Sequence, residues 1–200
     1  MTQVYDTIAH DAYDNFIKGS SITHQRLRDY FNACFQNSID HFGVYQCWSC
    51  VACLKQGSST QGWGEPPSTC PTCHSKPKSI YEIATFQGRA PIVGSAFASG
   101  FQYLMLAYFG VPLTPTPGNT RTHDFETTPE IAIEAKGSPS VVTNPNGSIT
   151  HLDKPGMERS DTRKKAFDNA NTWRRGNKGL FFVVSNAIPS NLVGYRNGNV

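Results

Sequence analysis

The chain has 200 residues and a formal net charge of +3 at pH 7. This length suffices for one packed domain, or for a domain with a small satellite too short to bury a core of its own. The weak positive charge allows nucleic acid as a partner without requiring it. No basic segment followed by an apolar run and a small-residue cleavage site opens the chain, so we expect a cytoplasmic, reducing location that argues against disulfides among the six cysteines.

Two amphipathic helices are predicted in an N-terminal helical segment, residues 1–44. Apolar residues recur at helical spacing over 4–18, and Gly19 follows as a stop signal. The second helix is predicted more clearly, because apolar residues recur every three or four positions over residues 27–39 and form a stripe on one side. Cys34 lies on that second stripe, so we interpret it as a core thiol.

A zinc-binding module is predicted over residues 45–79, where the composition shifts to cysteine, glycine, proline and serine. Two C-x-x-C knuckles flank a loop in this segment, a separation that resembles a zinc ribbon. Two residues between cysteines let both thiolates of a tight turn reach one ion at about 2.3 Å, and two such turns complete a tetrahedral Zn²⁺ site. Four thiolates leave no open coordination position, so this zinc is expected to be structural. The predicted ligands are Cys47, Cys50, Cys70 and Cys73.

The upstream knuckle can be paired in two ways, because Cys47 with Cys50 and Cys50 with Cys53 both have the C-x-x-C spacing. We prefer Cys47 with Cys50, since the strand-like run at 42–45 leads directly into that pair. Cys53 is then the alternative ligand, and His74 is a weaker one. Disulfides or unrelated buried thiols are the competing interpretation.

A stretch without charge lies between Arg89 and Arg121. Its longest unbroken apolar run covers only residues 104–111, far below the roughly 20 residues that a bilayer requires. We therefore expect a buried helix over 95–109 and no membrane span. A short strand at 80–86 is predicted between the zinc-binding module and this helix.

The rest of the chain alternates between strands and one helix. A polar loop at 137–156 carries a turn signal at 144–147 between apolar residues, which predicts a hairpin arm. The helix that follows is basic outside and apolar inside. The predicted elements are strands at 122–126 and 130–136, a helix at 158–173, and a strand at 180–184 that is expected to be buried on both sheet faces.

One predicted strand presents a carboxylate and an ammonium group on the same face. Alternation along 130–136 directs Glu134 and Lys136 to one side and the isoleucines to the other. Asp124, on the preceding strand, can meet Glu134 across an adjacent pairing. Two convergent carboxylates form a hard-oxygen site suited to Mg²⁺, beside which Lys136 can orient an attacking water.

Three other titratable residues lie close to Asp124 in the sequence. Glu126 shares a predicted strand face with Asp124 and stays open as its substitute, as does Glu130 at the start of the next strand. His123 alternates to the opposite face, which favours a core or hydrogen-bonding role. The competing interpretation of the lysine and glutamate pair is an ordinary set of surface charges.

Asp124 followed by Glu134-Ala135-Lys136 resembles the PD-(D/E)xK signature of many type II restriction endonucleases. The order of helix, acidic strands, helix and strand over about residues 80–190 is similar to that family's, although the usual proline is missing before Asp124. The resemblance implies an α/β (α+β) fold for residues 80–200, a restriction-endonuclease-like core with a mixed central sheet flanked by helices. It further implies that Asp124, Glu134 and the carbonyl of Ala135 bind catalytic Mg²⁺, with Lys136 beside the attacking water.

The resemblance also implies a sequence-specific endonuclease acting on double-stranded DNA. A homodimer is expected, because cutting two antiparallel strands at a palindrome favours twofold symmetry. A non-catalytic zinc-ribbon nucleic-acid-binding protein, and a repair or junction nuclease on the same fold, are the alternatives. The side chains expected to contact DNA phosphates are Lys154, Arg163, Lys164, Lys165, Arg174 and Arg175.

Overall fold

The computed structural model describes residues 2–42, 46–50, 52–53, 56–59, 68–75, 78–81, 86–117, 120–127, 131–143, 147–176 and 179–187. In these residues the chain is a mixed α+β protein with four α-helices and nine short strands. The strands form a three-stranded, a four-stranded and a two-stranded sheet. The expected α+β class is confirmed at this level.

The first three helices are α1 (Thr2–Phe16), α2 (His24–Phe42) and α3 (Phe86–Phe109). The two predicted N-terminal helices are confirmed, with their ends shifted by a few residues. Their apolar stripes share one core with α3, in which the ring of Phe97 lies 4.9 Å from that of Phe31 and 6.2 Å from that of Phe35. Cys34 is 1% exposed in this core, which confirms the interpretation of a core thiol.

Helix α3 begins at Phe86, well before the predicted start at residue 95. Pro91 lies inside it, in the second turn, where it removes one backbone hydrogen bond, and the following Ile92 and Val93 are buried in the helical core. By length and composition α3 is apolar enough to cross a membrane, a test that the core helix of a soluble protein also passes. Helix α3 packs against α1 and α2, but its predicted burial is only partial, because Leu106 is 55% exposed and Phe109 is 54% exposed.

The cysteine-rich module that is predicted to bind zinc contains the strands β1 (Gln46–Cys50), β2 (Gln56–Ser59) and β3 (Lys78–Tyr81). They form an antiparallel sheet in the order β2-β1-β3. The predicted module boundary at residue 79 falls within β3, which pairs with β1 and so belongs to the module. The strand-like run predicted at 42–45 lies mostly outside the described residues, and Phe42 ends α2.

The main sheet consists of β4 (Thr114–Pro115), β5 (Phe125–Thr127), β6 (Ile131–Ala135) and β9 (Leu180–Val184), and α4 is Ser160–Arg174. The strand order is β4-β5-β6-β9, with β6 and β9 parallel. A parallel pair requires a crossover connection, and the chain through α4 supplies it. Helix α3 packs on one face of this sheet and α4 on the other.

Strand β9 has the predicted bounds, but its predicted burial on both faces is wrong. Leu180 is 56% exposed and Phe182 is 49% exposed. In the part of the chain that the structure describes, the apolar cluster under α3 includes Val184 at the end of β9 and neither of these two residues. Helix α3 therefore covers only one end of this strand.

The predicted hairpin arm is confirmed as β7 (Val141–Thr143) paired with β8 (Ile149–His151). It is docked on α2 and does not extend freely. Val142 is 1% exposed in the helical core, and the side chain of Gln36 both donates to the Thr143 carbonyl (2.9 Å) and accepts its N–H (3.0 Å).

Candidate active site and metal centre

Strand β6 turns its side chains alternately toward the two helices that cover the sheet. Ala132 and Glu134 face α4, whereas Ile133 and Ala135 face α3. The alternation predicted for this strand is confirmed. Because Glu134 is only 3% exposed, the strand buries a carboxylate at the end of an otherwise apolar face.

Asp124 lies just before β5 and reaches the end of β6 through a local irregularity. Its N–H donates to the Ile133 carbonyl (2.9 Å), although the next residue, Phe125, is already paired with Ile133 in the ladder. Two consecutive residues therefore oppose one, as in a β-bulge, which redirects a side chain. The redirected Asp124 carboxylate accepts the N–H of Ala135 (2.7 Å) through Oδ2. At the end of β6, the Asp124 side chain therefore accepts the hydrogen bond that a backbone carbonyl of the neighbouring strand would accept in a regular sheet.

Two donors converge on Oε1 of the buried Glu134. The side-chain amide of Asn169, on α4, donates to it over 2.9 Å, and the ammonium group of Lys136 contacts the same oxygen. Burial raises the pKa of Glu134 above its usual value. The charge of Lys136 opposes this rise in pKa, whereas the negative charge of Asp124 adds to it. The two carboxylates are therefore close enough to repel each other.

Each carboxylate keeps one oxygen for a ligand. Within the described residues, Oδ1 of Asp124 and Oε2 of Glu134 have no hydrogen bond, whereas their partner oxygens are held by the donors named above. The Ala135 carbonyl belongs to the same group, because the N–H and C=O of one strand residue point to the same edge and the Ala135 N–H meets Asp124. Nζ of Lys136 lies 3.4 Å from that carbonyl oxygen. These three oxygens are of the hard kind that Mg²⁺ prefers.

His123 is 6% exposed and forms a separate hydrogen-bonded group. Its Nδ1 lies 2.9 Å from Oγ1 of Thr122, and its Nε2 lies 2.9 Å from Oε1 of Glu126. The hydrogen-bonding role expected for His123 is confirmed. Glu126, the possible substitute for Asp124, is the residue that holds Nε2 of the His123 ring. Glu130 lies outside the described residues.

Comparisons of the chain with protein-family models, with curated proteins and with solved structures found no match. The site therefore has to be interpreted from its own geometry.

The second candidate site is a cluster of four cysteine thiols in the cysteine-rich module. Their sulfur atoms all lie within 4.8 Å of one another, with Cys50 Sγ 3.5 Å from Cys73 Sγ and Cys53 Sγ 3.6 Å from Cys70 Sγ. Four thiolates at about 2.3 Å from one tetrahedral ion would be about 3.8 Å apart, so the cluster is compatible with structural zinc. Ser75 hydrogen bonds lower the pKa of Cys73 to about 6, which favours the thiolate that binds metal.

This cluster contains Cys53, the alternative ligand. Cys50 ends β1 and Cys53 lies in the turn that follows, so the two thiols lie on one knuckle. The side chain of Cys47 is outside the described part of the module, and its predicted role stays a prediction. The four gathered thiols already complete a tetrahedral set, which favours the pair Cys50 and Cys53. His74, next to Cys73, has a left-handed backbone (φ 55°), which is uncommon for a residue other than glycine.

The basic side chains predicted to contact DNA lie on α4 and on the segments beside it. Lys164 and Lys165 are exposed, and Lys164 forms an ion pair with Asp168 (2.6 Å). Lys165 lies one helical turn before Asn169, so it borders the candidate active site. Arg163 and Arg174 are half-buried, whereas Arg175 and Lys154 are exposed.

Asn169 is the site residue that sequence reasoning missed. Its signal was present, because it stands between Ala166 and Ala170 on the inner stripe of α4 that Trp173 continues. A polar residue on an apolar stripe indicates a buried hydrogen-bond partner. The identity of that partner, Glu134, depends on how α4 packs on β6.

Proposed function

We propose that the protein is a Mg²⁺-dependent DNA endonuclease with a core that resembles the PD-(D/E)xK nucleases. The observation that carries this proposal is the meeting of Asp124, Glu134, the Ala135 carbonyl and Lys136 at one end of β6. A mixed sheet between α3 and α4, with β6 parallel to β9, supports it as well, since such a core has a central mixed sheet flanked by helices.

The residues of the site divide the chemistry between them. Asp124, Glu134 and the Ala135 carbonyl would hold Mg²⁺, whose charge stabilises the negative charge that develops on the phosphate. The Lys136 side chain is 20% exposed, so its ammonium group can donate a hydrogen bond to a water molecule at the mouth of the site and orient it for attack. Lys136 and a metal ion compete for Glu134, so metal binding would free the ammonium group for this role.

Duplex DNA is the proposed substrate. The exposed Lys165 and Arg175, with the half-buried Arg163 and Arg174, give α4 a basic surface next to the carboxylates, and phosphate contacts of this kind supply affinity without sequence preference. A homodimer acting in a reducing cytoplasm completes the proposal, since two sites are needed to cut both strands at one palindrome. The four-thiol cluster would hold structural Zn²⁺.

The experiment that tests the proposal is cleavage of supercoiled plasmid with Mg²⁺, with Ca²⁺ as the comparison ion. Asp124→Ala, Glu134→Ala and Lys136→Ala should each lose at least about 100-fold in cleavage rate while DNA binding persists in a gel-shift assay. Glu126→Gln is the matched control, because Glu126 bonds to His123 outside the metal-binding group. It should cut at the wild-type rate.

The outcomes separate the proposal from its alternatives. Discrete fragments from the wild type, with no cutting by the three site variants, support a sequence-specific endonuclease. Cutting only of branched or damaged DNA indicates a repair or junction nuclease on the same fold. The thiol cluster favours one further function, a zinc-ribbon module that binds nucleic acid without catalysis, and binding without any cleavage would select it.

A further inference from the structure

A cavity of about 590 Å³ lies between α2 and the segments that follow β6, β8 and β9. Its volume falls in the range of roughly 300–1,000 Å³ that is typical of sites for small molecules. One wall is the face of α2 that carries His24, Arg28 and Asn32 at four-residue spacing. The opposite wall includes Ser140 and Glu158. The cavity is therefore large enough for a nucleobase together with its sugar.

Four polar side chains of these walls can bind a ligand without first losing a partner. Within the described residues, none of them forms a hydrogen bond with another residue: His24, Asn32, Ser140 and Glu158. An amide both donates and accepts, a carboxylate accepts, and a hydroxyl does either. The cavity thus offers donors and acceptors on both of its walls.

The wall formed by the segment after β9 is held in place by hydrogen bonds. The side-chain amide of Asn186 accepts the N–H of Ser138 (3.1 Å) and donates to the carbonyl of the same residue (2.9 Å). Oγ of Ser185 donates to the Ala187 carbonyl (2.9 Å). Because these bonds occupy the polar groups of Asn186 and Ser185, the two side chains shape the cavity and leave ligand binding to the other residues.

The charges of the cavity favour a neutral polar ligand. Arg28 and Glu158 contribute one charge of each sign to the described lining, so an anion attracted by the first would be repelled by the second. Arg28 donates to the side chain of Gln25 and has further N–H donors. A nucleobase is neutral and carries donors and acceptors along its edge, and arginine, asparagine and glutamate are side chains that pair with base edges. Leu27 and Pro155 add apolar surface for the face of a ring.

The cavity adjoins the candidate active site at the carboxyl ends of β6 and β9. The N–H of Lys136 donates to the Val184 carbonyl (2.9 Å), and Ser185 in the cavity wall is the next residue. Ser140 lies four residues after Lys136, so their Cα atoms are at most about 14 Å apart. The carboxyl ends of parallel strands are a common place for ligands. A base in the cavity would therefore belong to a nucleotide near the phosphate beside Lys136.

We propose that the cavity between Arg28, Asn32, Ser140 and Glu158 binds a nucleobase. This rests on the proposed function for the source of the base, which is a nucleotide of the bound DNA that leaves the duplex stack near the cleavage site. A free nucleoside is the other source of the same chemistry. Removing a base from the stack costs free energy, and the cost is smallest for a mismatched or unpaired base. Binding of a DNA base in the cavity therefore predicts a preference for DNA that contains such a base.

The test compares binding to a random-sequence duplex with binding to the same duplex carrying one mismatched pair, both with Ca²⁺. We expect the wild type to bind the mismatched duplex at least about 10-fold more tightly, since less unstacking is needed. Asn32→Ala, Glu158→Ala and their combination should lose most of this preference, and the ratio of two affinities cancels the effect of the altered net charge. Asn37→Ala, at an exposed position of α2 outside the described lining, is the matched control and should keep the preference.

A second arm measures thermal unfolding of the wild type and of the combined variant with each of the four deoxynucleosides. A mismatch preference that the cavity variants lose supports a DNA base. No preference, with a deoxynucleoside that raises the melting temperature of the wild type alone, supports a free nucleoside. A preference that every variant keeps, or the absence of both effects, overturns the site. If the wild type cleaves DNA in that case, the cavity proposal fails while the proposed function stands.

Discussion

The side-chain amide of Asn169 donates a hydrogen bond to Oε1 of Glu134 over 2.9 Å and thereby joins α4 to the end of β6. This contact holds one carboxylate oxygen and leaves Oε2 available for a metal ion. Partners of this kind orient ligands, and their loss commonly costs 10- to 100-fold in metal affinity or activity. Asn169 is thus a positioning residue of the proposed site.

Asn169→Ala should raise the Mg²⁺ concentration needed for half-maximal plasmid cleavage by about 10-fold, since Glu134 loses the donor that orients it. DNA binding without metal should not change. Asn171→Ala, at an exposed position of the same helix, is the control. An Asn169→Ala protein with the wild-type Mg²⁺ dependence would show that the contact only stabilises the packing of α4.

Glu134→Gln should raise the melting temperature of the metal-free protein at pH 8. Burial raises the folded-state pKa of Glu134, so the cost of this group to folding develops between its unfolded-state and folded-state pKa values and is complete above the folded-state pKa. Below the unfolded-state pKa the carboxyl group is protonated in both states and imposes no such cost. The advantage of Glu134→Gln should therefore shrink as the pH is lowered from 8 toward 5. Calorimetry in EDTA measures it, with Asp6→Asn on the exposed side of α1 as the control, and a constant advantage at every pH would contradict this explanation.

Zinc content distinguishes the two possible upstream knuckles. Cys53→Ser should lose zinc and lower the melting temperature, because Cys53 Sγ lies 3.6 Å from Cys70 Sγ in the thiol cluster. Cys47→Ser should retain about one zinc ion per chain. Metal analysis of purified protein checks both, and the reverse result would return the site to Cys47 and Cys50. A wild-type protein that is folded without zinc would remove the metal from this module.

Gly137→Ala should destabilise the protein by about 1–3 kcal/mol through overpacking. A Cβ atom at residue 137 would lie 2.1 Å from Cγ of Phe97, which is 2% exposed in the helical core. Gly94→Ala is the matched control, since a Cβ there meets nothing within 4 Å and alanine is favoured in a helix. Thermal or urea unfolding measures the difference. In a Phe97→Ala background, which lacks the contacted Cγ and ring atoms, Gly137→Ala should cost less than in the wild type, and equal stabilities for the two glycine variants would contradict the close approach.

Lys165→Ala should reduce the salt dependence of DNA binding more than Lys164→Ala does. Lys164 is already paired with Asp168, whereas Lys165 borders the candidate site one turn before Asn169. The slope of log K against log salt for a random-sequence duplex should fall by up to about 0.9 for Lys165→Ala. Equal and unchanged slopes would mean that both charges are only solvated.

Sequence pattern alone located most of the secondary structure. The apolar stripes of α1, α2 and α4, the run at 180–184 and the turn signal of the hairpin arm each correspond to an element of the structure. Local periodicity suffices in these places because each element has one apolar side to bury. The late start predicted for α3 was wrong, because burial of Ile92 and Val93 outweighs the local signal of Pro91.

The sequence also identified Asp124, Glu134 and Lys136 as candidate site residues, through an alternating strand and a spacing that resembles a known signature. Only the tertiary structure showed how they meet. The bulge at Asp124 breaks the two-residue alternation of a regular strand and brings the Asp124 carboxylate to the N–H of Ala135. Asn169 and Glu134 are far apart in the sequence and come together through the packing of α4 on β6, which no local spacing encodes. The choice between Cys47 and Cys53 also depends on tertiary structure. Both cysteines have the C-x-x-C spacing to Cys50, so only the fold of the module determines which thiols come together.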